Sequence, residues 1–563
     1  MAKRAAAKKA ASSGRASVER PTTLTMNLFG PGMSLLHRAG LGGLACTLKY
    51  IERAYEDGDL IDEQVPGGPW INGKPPWEIE SSLITFQIGA PELAAEFLKR
   101  LFDLSFRTTD QGVIYLPGQF ASKPSIDVLA ESQNGLTLTF IQHGKTRTLA
   151  KEPTVVQCDG DGDGKKMIPI EFKACSWFKH QDGWKVLIDS QGRLTTNFVE
   201  VIGPLSPGAV VRHVAFTSST KIEDPVERAL PLYFAIVGCL GLSMNRGSGV
   251  LVVPEVEDLE TFSFLRPEMS PTSSRQCRIS SAGDAALQAQ LRLRTSKLAN
   301  QFDLPGCHAM TFRPTSWAKQ QKSRVDALLV PPGDEKSLKQ FEIAMSELSP
   351  RVATVVRKES TGRGKHKVET QRTEHFWSDS IVRPLVADNL ARGQPWYRGF
   401  VNLMTKLDPV SKKPLRLRLF FEKEGLKAMT EKIAWTDQGE SAVVRSVHEA
   451  LRRRFGAIAS ENKGKTGTMK NRMTGEFDKW RLAFAGAKTA DQFRHSLCDL
   501  YARSGMNSVL RENWEAVLPW LSTAQWQLTR DLALLALASY TGAGVKEIEA
   551  AIPNAADGES DGS

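Results

Sequence analysis

The stretch 26-MNLFGPGMSLLHRAGLGGLACTLKYIERA-54 runs from an extended apolar segment through a glycine-broken turn into a helix with a His-Arg pair in its first turn. Strand, glycine turn and helix in that order either cradle a phosphate or seat a helix closely, and the choice decides the fold. A dinucleotide-binding G-x-G-x-x-G needs a third glycine where Leu35 stands, so the nucleotide-cofactor fold fails. Ser34 is placed to cap the helix, and Gly40 and Gly43, three apart on one face, permit a close helix-to-sheet contact. The first turn, with Gly32, His37 and Arg38 beside free backbone N–H groups, keeps a second capacity, since it suits an RNA phosphate.

Outward from this stretch, residues 23–420 mix helices and strands. Strand-like runs are 24-LTMNLF-29, 136-LTLTFIQ-142, 249-GVLVVPEV-256, 308-HAMTFRP-314 and 326-DALLVPP-332; amphipathic helices fall near 91–103, 284–299 and 335–347. They interleave irregularly, without the strand-helix-strand rhythm of a doubly wound sheet, so the class is α+β. A short helix is expected in 384–392, started at Pro384 and stopped at Gly393, with Arg383 and Asn389 paired internally and the nearby Trp377, Trp396, Tyr397 and Phe400 in the core.

After residue 420 the pattern becomes helical. In 442-AVVRSVHEALRRRFGAIA-459 the apolar positions form one stripe, and 493-FRHSLCDLY-501 repeats the spacing. Helices also fit 506–521 and 522–542, the second capped by Ser522 and stopped by Gly542. Residues 421–550 are therefore expected to form a bundle of about four helices. The apolar run 229–244 is shorter than the roughly 20 residues a bilayer requires and contains Pro231, Gly238 and Gly241, which suits a buried helix. Residues 1–22 are expected to be a disordered basic arm, and 551–563 a disordered acidic tail.

The 563 residues carry a net charge of +10, which favours an anionic partner. Over 410–480 there are 16 Lys/Arg against 9 Asp/Glu, so much of the excess sits there. Seven cysteines at long spacings, without C-x-x-C, suit a reducing cytoplasm and no metal. Two basic loops are expected, 357-RKESTGRGKHKVETQR-372 and 452-RRRFGAIASENKGKTGTMKNRMTG-475. They nominate Arg357, Lys358, Arg363, Lys365, Arg452, Arg453, Lys463, Lys465, Lys470 and Arg472 as nucleic-acid contacts. The loop 243-SMNRGSG-249, read as joining a helix to a strand, adds Asn245 and Arg246 at an exposed tip.

Other chemistries fare worse. The two GKT strings lack the first P-loop glycine, where Ala459 and Thr139 stand; the string at 144–146 is read as part of a β-hairpin. The run 159-DGDGDGKKMIPIEFK-173 puts Ile170 where a calcium loop needs its bidentate acid, so it reads as an acidic turn. The same run offers an alternative, a metal-dependent nuclease using Asp163, Glu171 and Lys173. No H-E-x-x-H occurs, and the one G-x-S-x-G string, 558-GESDG-562, falls in the acidic tail with no strand before it to make a nucleophile elbow. A basic structural or regulatory protein is the other alternative.

Three segments together, 28-LFGPGMSLLHRAGLGGLACTL-48, 249-GVLVVPEVEDLETF-262 and 376-FWSDSIVRPLVADNLARGQPWYRGF-400, resemble the large subunit of type I CRISPR surveillance complexes (Cascade), in the branch once labelled the Myxan subtype. The resemblance implies a non-catalytic protein of prokaryotic antiviral defence, cytoplasmic and needing no cofactor. Its α/β body would sit by the guide-RNA handle and inspect the protospacer-adjacent motif (PAM) in target double-stranded DNA. Its helical end would support R-loop formation, and the complex would recruit a separate helicase-nuclease. The implied partners are guide RNA, target DNA and other Cascade subunits, namely the backbone and handle-binding proteins and a small subunit, with no membrane. The motif-reading residues are not fixed by the resemblance, so Asn245 and Arg246 rest on loop chemistry alone.

Overall fold

The computed structural model describes residues 22–207, 222–244, 247–296, 303–315, 318–361, 368–408 and 412–542. β1 (Thr22–Asn27) leads through the Gly30-Pro31-Gly32 turn into α1 (Leu35–Glu56). β2 (Trp77–Ile79) and β3 (Leu83–Gly89) complete an antiparallel sheet in the order β1-β3-β2. After α2 (Ala94–Ser105) come a short pair, β4 (Arg107–Thr108) with β5 (Ile114–Tyr115), and then α3 (Ile126–Leu138). β6 (Arg147–Leu149), β7 (Thr154–Asp159), β8 (Met167–Phe172) and β9 (Cys175–Phe178) form two nested antiparallel pairs, β6 with β9 and β7 with β8. β10 (Val199–Glu200) pairs with β11 (Glu223–Asp224) ahead of α4 (Val226–Gly238).

The centre of the chain is a four-stranded antiparallel meander of β12 (Leu240–Met244), β13 (Ser248–Pro254), β14 (Cys307–Thr315) and β15 (Ala318–Val330). Between its second and third strands the chain makes α5 (Leu259–Glu268) and α6 (Ala282–Thr295). There follow α7 (Glu335–Glu347), a long ribbon of β16 (Arg351–Thr361) with β17 (Val368–Ser378), and α8 (Arg383–Ala391). Short α9 (Val401–Thr405) and α10 (Arg416–Leu419) lead into the helical end: α11 (Lys423–Lys432), α12 (Gln438–Glu461), α13 (Thr466–Gly486), α14 (Ala490–Ser504), α15 (Ser508–Glu512), α16 (Trp514–Val517) and α17 (Trp526–Ser539). The α+β body with a helical end is thus observed.

The glycines of α1 do pack, though against a helix rather than a sheet. A Cβ on Gly40 would lie 2.1 Å from the Pro231 carbonyl oxygen, and one on Gly43 would lie 2.3 Å from that of Phe234. Gly238 of α4 answers from the other side, since its Cβ would lie 1.8 Å from the Ala39 oxygen. α1 and α4 therefore touch backbone to backbone, which only glycine allows. The end of α4 is then closed by Arg266, a fully buried side chain. Its Nε donates to the Gly238 carbonyl at 2.8 Å, and its Nη2 to that of Cys239 at 2.7 Å. The guanidinium thus satisfies carbonyls that the helix leaves unpaired.

Four local expectations give way. Residues 136–142 are not a strand: Leu136–Leu138 end α3, where Gly135 lets the helix approach the backbone of Gly241 and Leu242. The run 229–244 is helix only to Gly238 and strand from Leu240, because Arg266 terminates α4 inside the core. Residues 144–146 form a single 3-10 turn before β6. In 506–521 the helix is broken into α15, α16 and a 3-10 turn, and α17 starts after Gln525, not at Ser522.

One buried apolar cluster runs from Leu240 in the meander through α6, α7 and α8 to Tyr540 after α17. Polar ties cross the same ground: Tyr397 Oη donates to Glu440 at 2.9 Å, while Asp531 accepts from the backbone N–H of Gly399 at 2.7 Å and of Val401 at 3.0 Å. Trp396, Tyr397 and Phe400 are core residues, as expected. Arg383 meets buried Asp284 at 2.8 Å, and Asn389 donates to the carbonyls of Trp396 and Arg398. The second large cluster gathers α1, α2 and α4 under the β1-β3-β2 sheet.

Candidate nucleic-acid interface

The basic stretch expected as a loop in 452–475 is mostly helix. α12 continues to Glu461 and α13 begins at Thr466, leaving a tight turn in which Gly464 takes φ +84°. Met473 and Trp480 on α13 are buried, and that apolar face draws the Gly/Lys/Asn-rich segment into the bundle. Its cations divide into two kinds. Arg452 and Arg453 both grip Glu449, at 2.7 and 2.8 Å, and hold its carboxyl down at about 2; Arg472 pairs with Glu461 at 2.8 Å. Lys463, Lys465 and Lys470 have no carboxylate within ion-pairing distance among the described residues, and the first two are exposed. These lysines flank the start of α13, where no side chain caps the first-turn N–H groups and no acid stands in the first turn. Uncapped N–H donors beside unpaired ammonium groups form a phosphate-attracting surface.

The second basic stretch lies in an arm. β16 and β17 pair from Arg351↔Ser378 to Thr361↔Val368, a ribbon of roughly 35 Å at about 3.3 Å per residue. The backbone of Arg357 and Lys358 belongs to that ribbon; Arg363 and Lys365 lie outside the described residues. At the ribbon's base, Val352 and Trp377 pack on the small core under α3 and β8. Asn245 and Arg246 also lie outside the described residues, but their flanks correct the expectation: the loop joins strand β12 to strand β13, not helix to strand.

That correction exposes a feature the sequence reading missed. Gly249 of β13 pairs with Phe312 of β14, so the 245–247 turn and the β14–β15 turn lie at the same edge of the meander. The second hairpin carries 313-RPTSWAKQQKSR-324, with four basic residues and no acid. The run was visible, but only strand register joins it to Asn245 and Arg246.

The first turn of α1 differs from expectation in one respect. His37 is buried, not exposed: its Nδ1 lies 2.6 Å from Ser34 Oγ and its Nε2 3.0 Å from Asp224 Oδ2. Asp224 accepts that contact, so Nε2 carries the proton and Nδ1 accepts from Ser34. Ser34 caps the helix as expected. Burial lowers the pKa of His37, which favours the neutral ring. Arg38 is half-buried with an unpartnered Nε, and Gly32, at φ +82°, sits against the Arg228 guanidinium. The cation beside Gly32 is therefore Arg228, which pairs with Asp224 and donates to the Pro31 carbonyl at 3.1 Å, while Arg38 follows six residues after Gly32 on α1.

In the acidic run, Asp159 accepts from the backbone N–H of Gly162 at 2.9 Å and of Gly164 at 3.0 Å, so the repeated Asp-Gly builds the β7–β8 turn. Asp163 lies in that turn beside Lys165 at 3.6 Å, whereas Glu171 stands past the middle of β8 and Lys173 just after its end, both exposed. The four residue steps from Met167 to Glu171 put roughly 13 Å of strand between the end of the turn and Glu171. Among the described residues no group of three or more His, Cys, Asp or Glu is arranged to hold a metal ion, and no helix is long and apolar enough to cross a membrane.

The sequence matches two family models, the DevT N-terminal domain over residues 25–233 and the DevT C-terminal domain over residues 431–562. It is also 33% identical over 554 residues to the CRISPR-associated protein Cas8a1/Csx13 of Myxococcus xanthus (strain DK1622), covering 94% of this chain and 90% of that relative.

Proposed function

Since this chain belongs to the Cas8a1/Csx13 family of CRISPR-associated proteins, we propose that it is the non-catalytic large subunit of a type I Cascade complex in the prokaryotic cytoplasm. In this role it binds guide RNA and target double-stranded DNA alongside the backbone, handle-binding and small subunits. The meander edge carrying Asn245, Arg246 and the 313–324 run inspects the PAM. The start of α1, with Gly32, Arg38 and Arg228, takes a phosphate of the guide-RNA handle. The α12–α13 end supports a strand of the R-loop, and the assembled complex recruits a separate helicase-nuclease.

The observation that best supports nucleic-acid binding is the set of unpaired Lys463, Lys465 and Lys470 around the uncapped start of α13. Specificity comes from pairing between guide and target, so the protein's contacts are to backbone and shape. Each phosphate contact contributes about 0.7 to 0.9 to the salt slope of binding. The triple variant Lys463→Ala, Lys465→Ala, Lys470→Ala in the assembled complex should therefore lower the slope for target DNA by roughly two to three. An unchanged slope refutes this surface.

A further inference from the structure

The helical end carries an open cavity of about 610 Å3 between α11, α12 and the residues that follow α17. Its lining includes Lys427, Trp435, Arg445, His448 and Tyr540. The volume is that of a small-molecule site. Lys427 and Arg445 have no carboxylate within ion-pairing distance among the described residues. Of the two acids on the wall, Glu449 is already held by Arg452 and Arg453, which leaves Glu431 exposed at the rim. Tyr540 is only 6% exposed, and its hydroxyl has no hydrogen-bond partner, an arrangement that costs free energy unless a ligand or water completes it. His448 Nε2 meets the Ala536 carbonyl oxygen at 3.0 Å, so it carries the proton and Nδ1 is left as an acceptor. Burial pushes this imidazole down to about 4, so at neutral pH it is an uncharged acceptor.

We propose that this cavity is a binding site for one nucleotide unit, an aromatic base against Trp435, His448 and Tyr540 with its phosphate on Lys427 and Arg445. Aromatic faces and cations supply the two interactions by which sequence-tolerant sites hold a nucleotide. The unit is either a free nucleoside monophosphate or a base turned out of a bound single strand. In the second case the inference rests on the nucleic-acid role proposed above, because Arg452 lies on both the cavity wall and the basic end of α12.

Two arms test it on the full-length chain. In the first, deoxyadenosine monophosphate is titrated by calorimetry against ribose 5-phosphate as a base-free control. The nucleotide should bind at least tenfold tighter than the control. Lys427→Ala with Arg445→Ala should weaken it at least tenfold, and Tyr540→Phe, which removes only the hydroxyl, should weaken it severalfold without lowering the melting temperature. In the second arm, single-stranded DNA bearing a photoreactive base is crosslinked and the adduct mapped. An adduct at Trp435 or Tyr540 identifies the source as an everted base; nucleotide binding without an adduct identifies free nucleotide. If neither probe reaches the cavity while the salt slope still responds to Lys463, Lys465 and Lys470, the site falls and the nucleic-acid role stands. Binding that appears only after truncation beyond Gly542 also overturns the proposal, because residues 543–563 then fill the cavity themselves.

Discussion

Acid should destabilise this protein through His180. The imidazole is fully buried among the rings of Phe106, Phe140, Phe178 and Tyr233, with centroids 5.6, 6.4, 5.9 and 6.2 Å away, and neither ring nitrogen has a partner. Burial alone pushes it down to about 3, whereas the unfolded chain titrates near 6.5. A folded pKa below the unfolded one means that the unfolded state takes up the proton first, so stability is lost as pH falls from 6.5 toward 3. At pH 7.5 the effect is negligible, and at pH 5 linkage makes it about 2 kcal/mol. His180→Phe removes both unpartnered nitrogens and keeps a ring in the cage. Thermal unfolding at pH 7.5, 6 and 5 should show the variant at least as stable as the parent at pH 7.5. At pH 5 the variant should have lost about 2 kcal/mol less. His448, pushed down to about 4, and His37, also lowered by burial, remain in both proteins and contribute to the acid shift that persists. Equal acid shifts in parent and variant would refute the assignment.

Gly43→Ala should destabilise the body by about 1–3 kcal/mol or more, because the new methyl meets the Phe234 carbonyl; an unchanged melting temperature would show that α1 and α4 are not in backbone contact. Arg383→Leu strands buried Asp284 and should cost about 3–5 kcal/mol in denaturant titration, while the double change to apolar residues recovers much of it. Glu171→Ala should leave DNA binding by the assembled complex unchanged, and Mg2+ should produce no cleavage by the purified chain. Cleavage that this substitution abolishes would restore the nuclease alternative.

Where a segment carried its own punctuation, the sequence was a good guide to the fold. Ser34, Pro384 and Gly393 mark helix ends that are determined locally, and α7 and α12 lie almost where their apolar spacing puts them. Two of the failures have a cause that lies far away in the chain. Leu136–Leu138 have strand propensity but lie in a helix that packs on Gly241. The apolar run after residue 229 is cut at Gly238 by a guanidinium 28 residues downstream. Residues 466–475 look like a loop because Gly467, Gly475 and their polar neighbours hide the apolar spacing, yet buried Met473 and the packing of Trp480 make them helix. The candidate site was legible as charge but not as pairing. Sequence cannot show that Arg452, Arg453 and Arg472 are spent on Glu449 and Glu461 while three lysines are not. Nor does it reveal that His37 is turned inward by Asp224, 187 residues away.

The central claim is that this chain works inside a guide-RNA complex, and isolating the tagged protein from its native host and sequencing the RNA that accompanies it tests this most directly. The account predicts short RNAs that share one repeat-derived 5′ end. If the operon is expressed and no such RNA is recovered, the chain does not act in a guide complex and the account is contradicted.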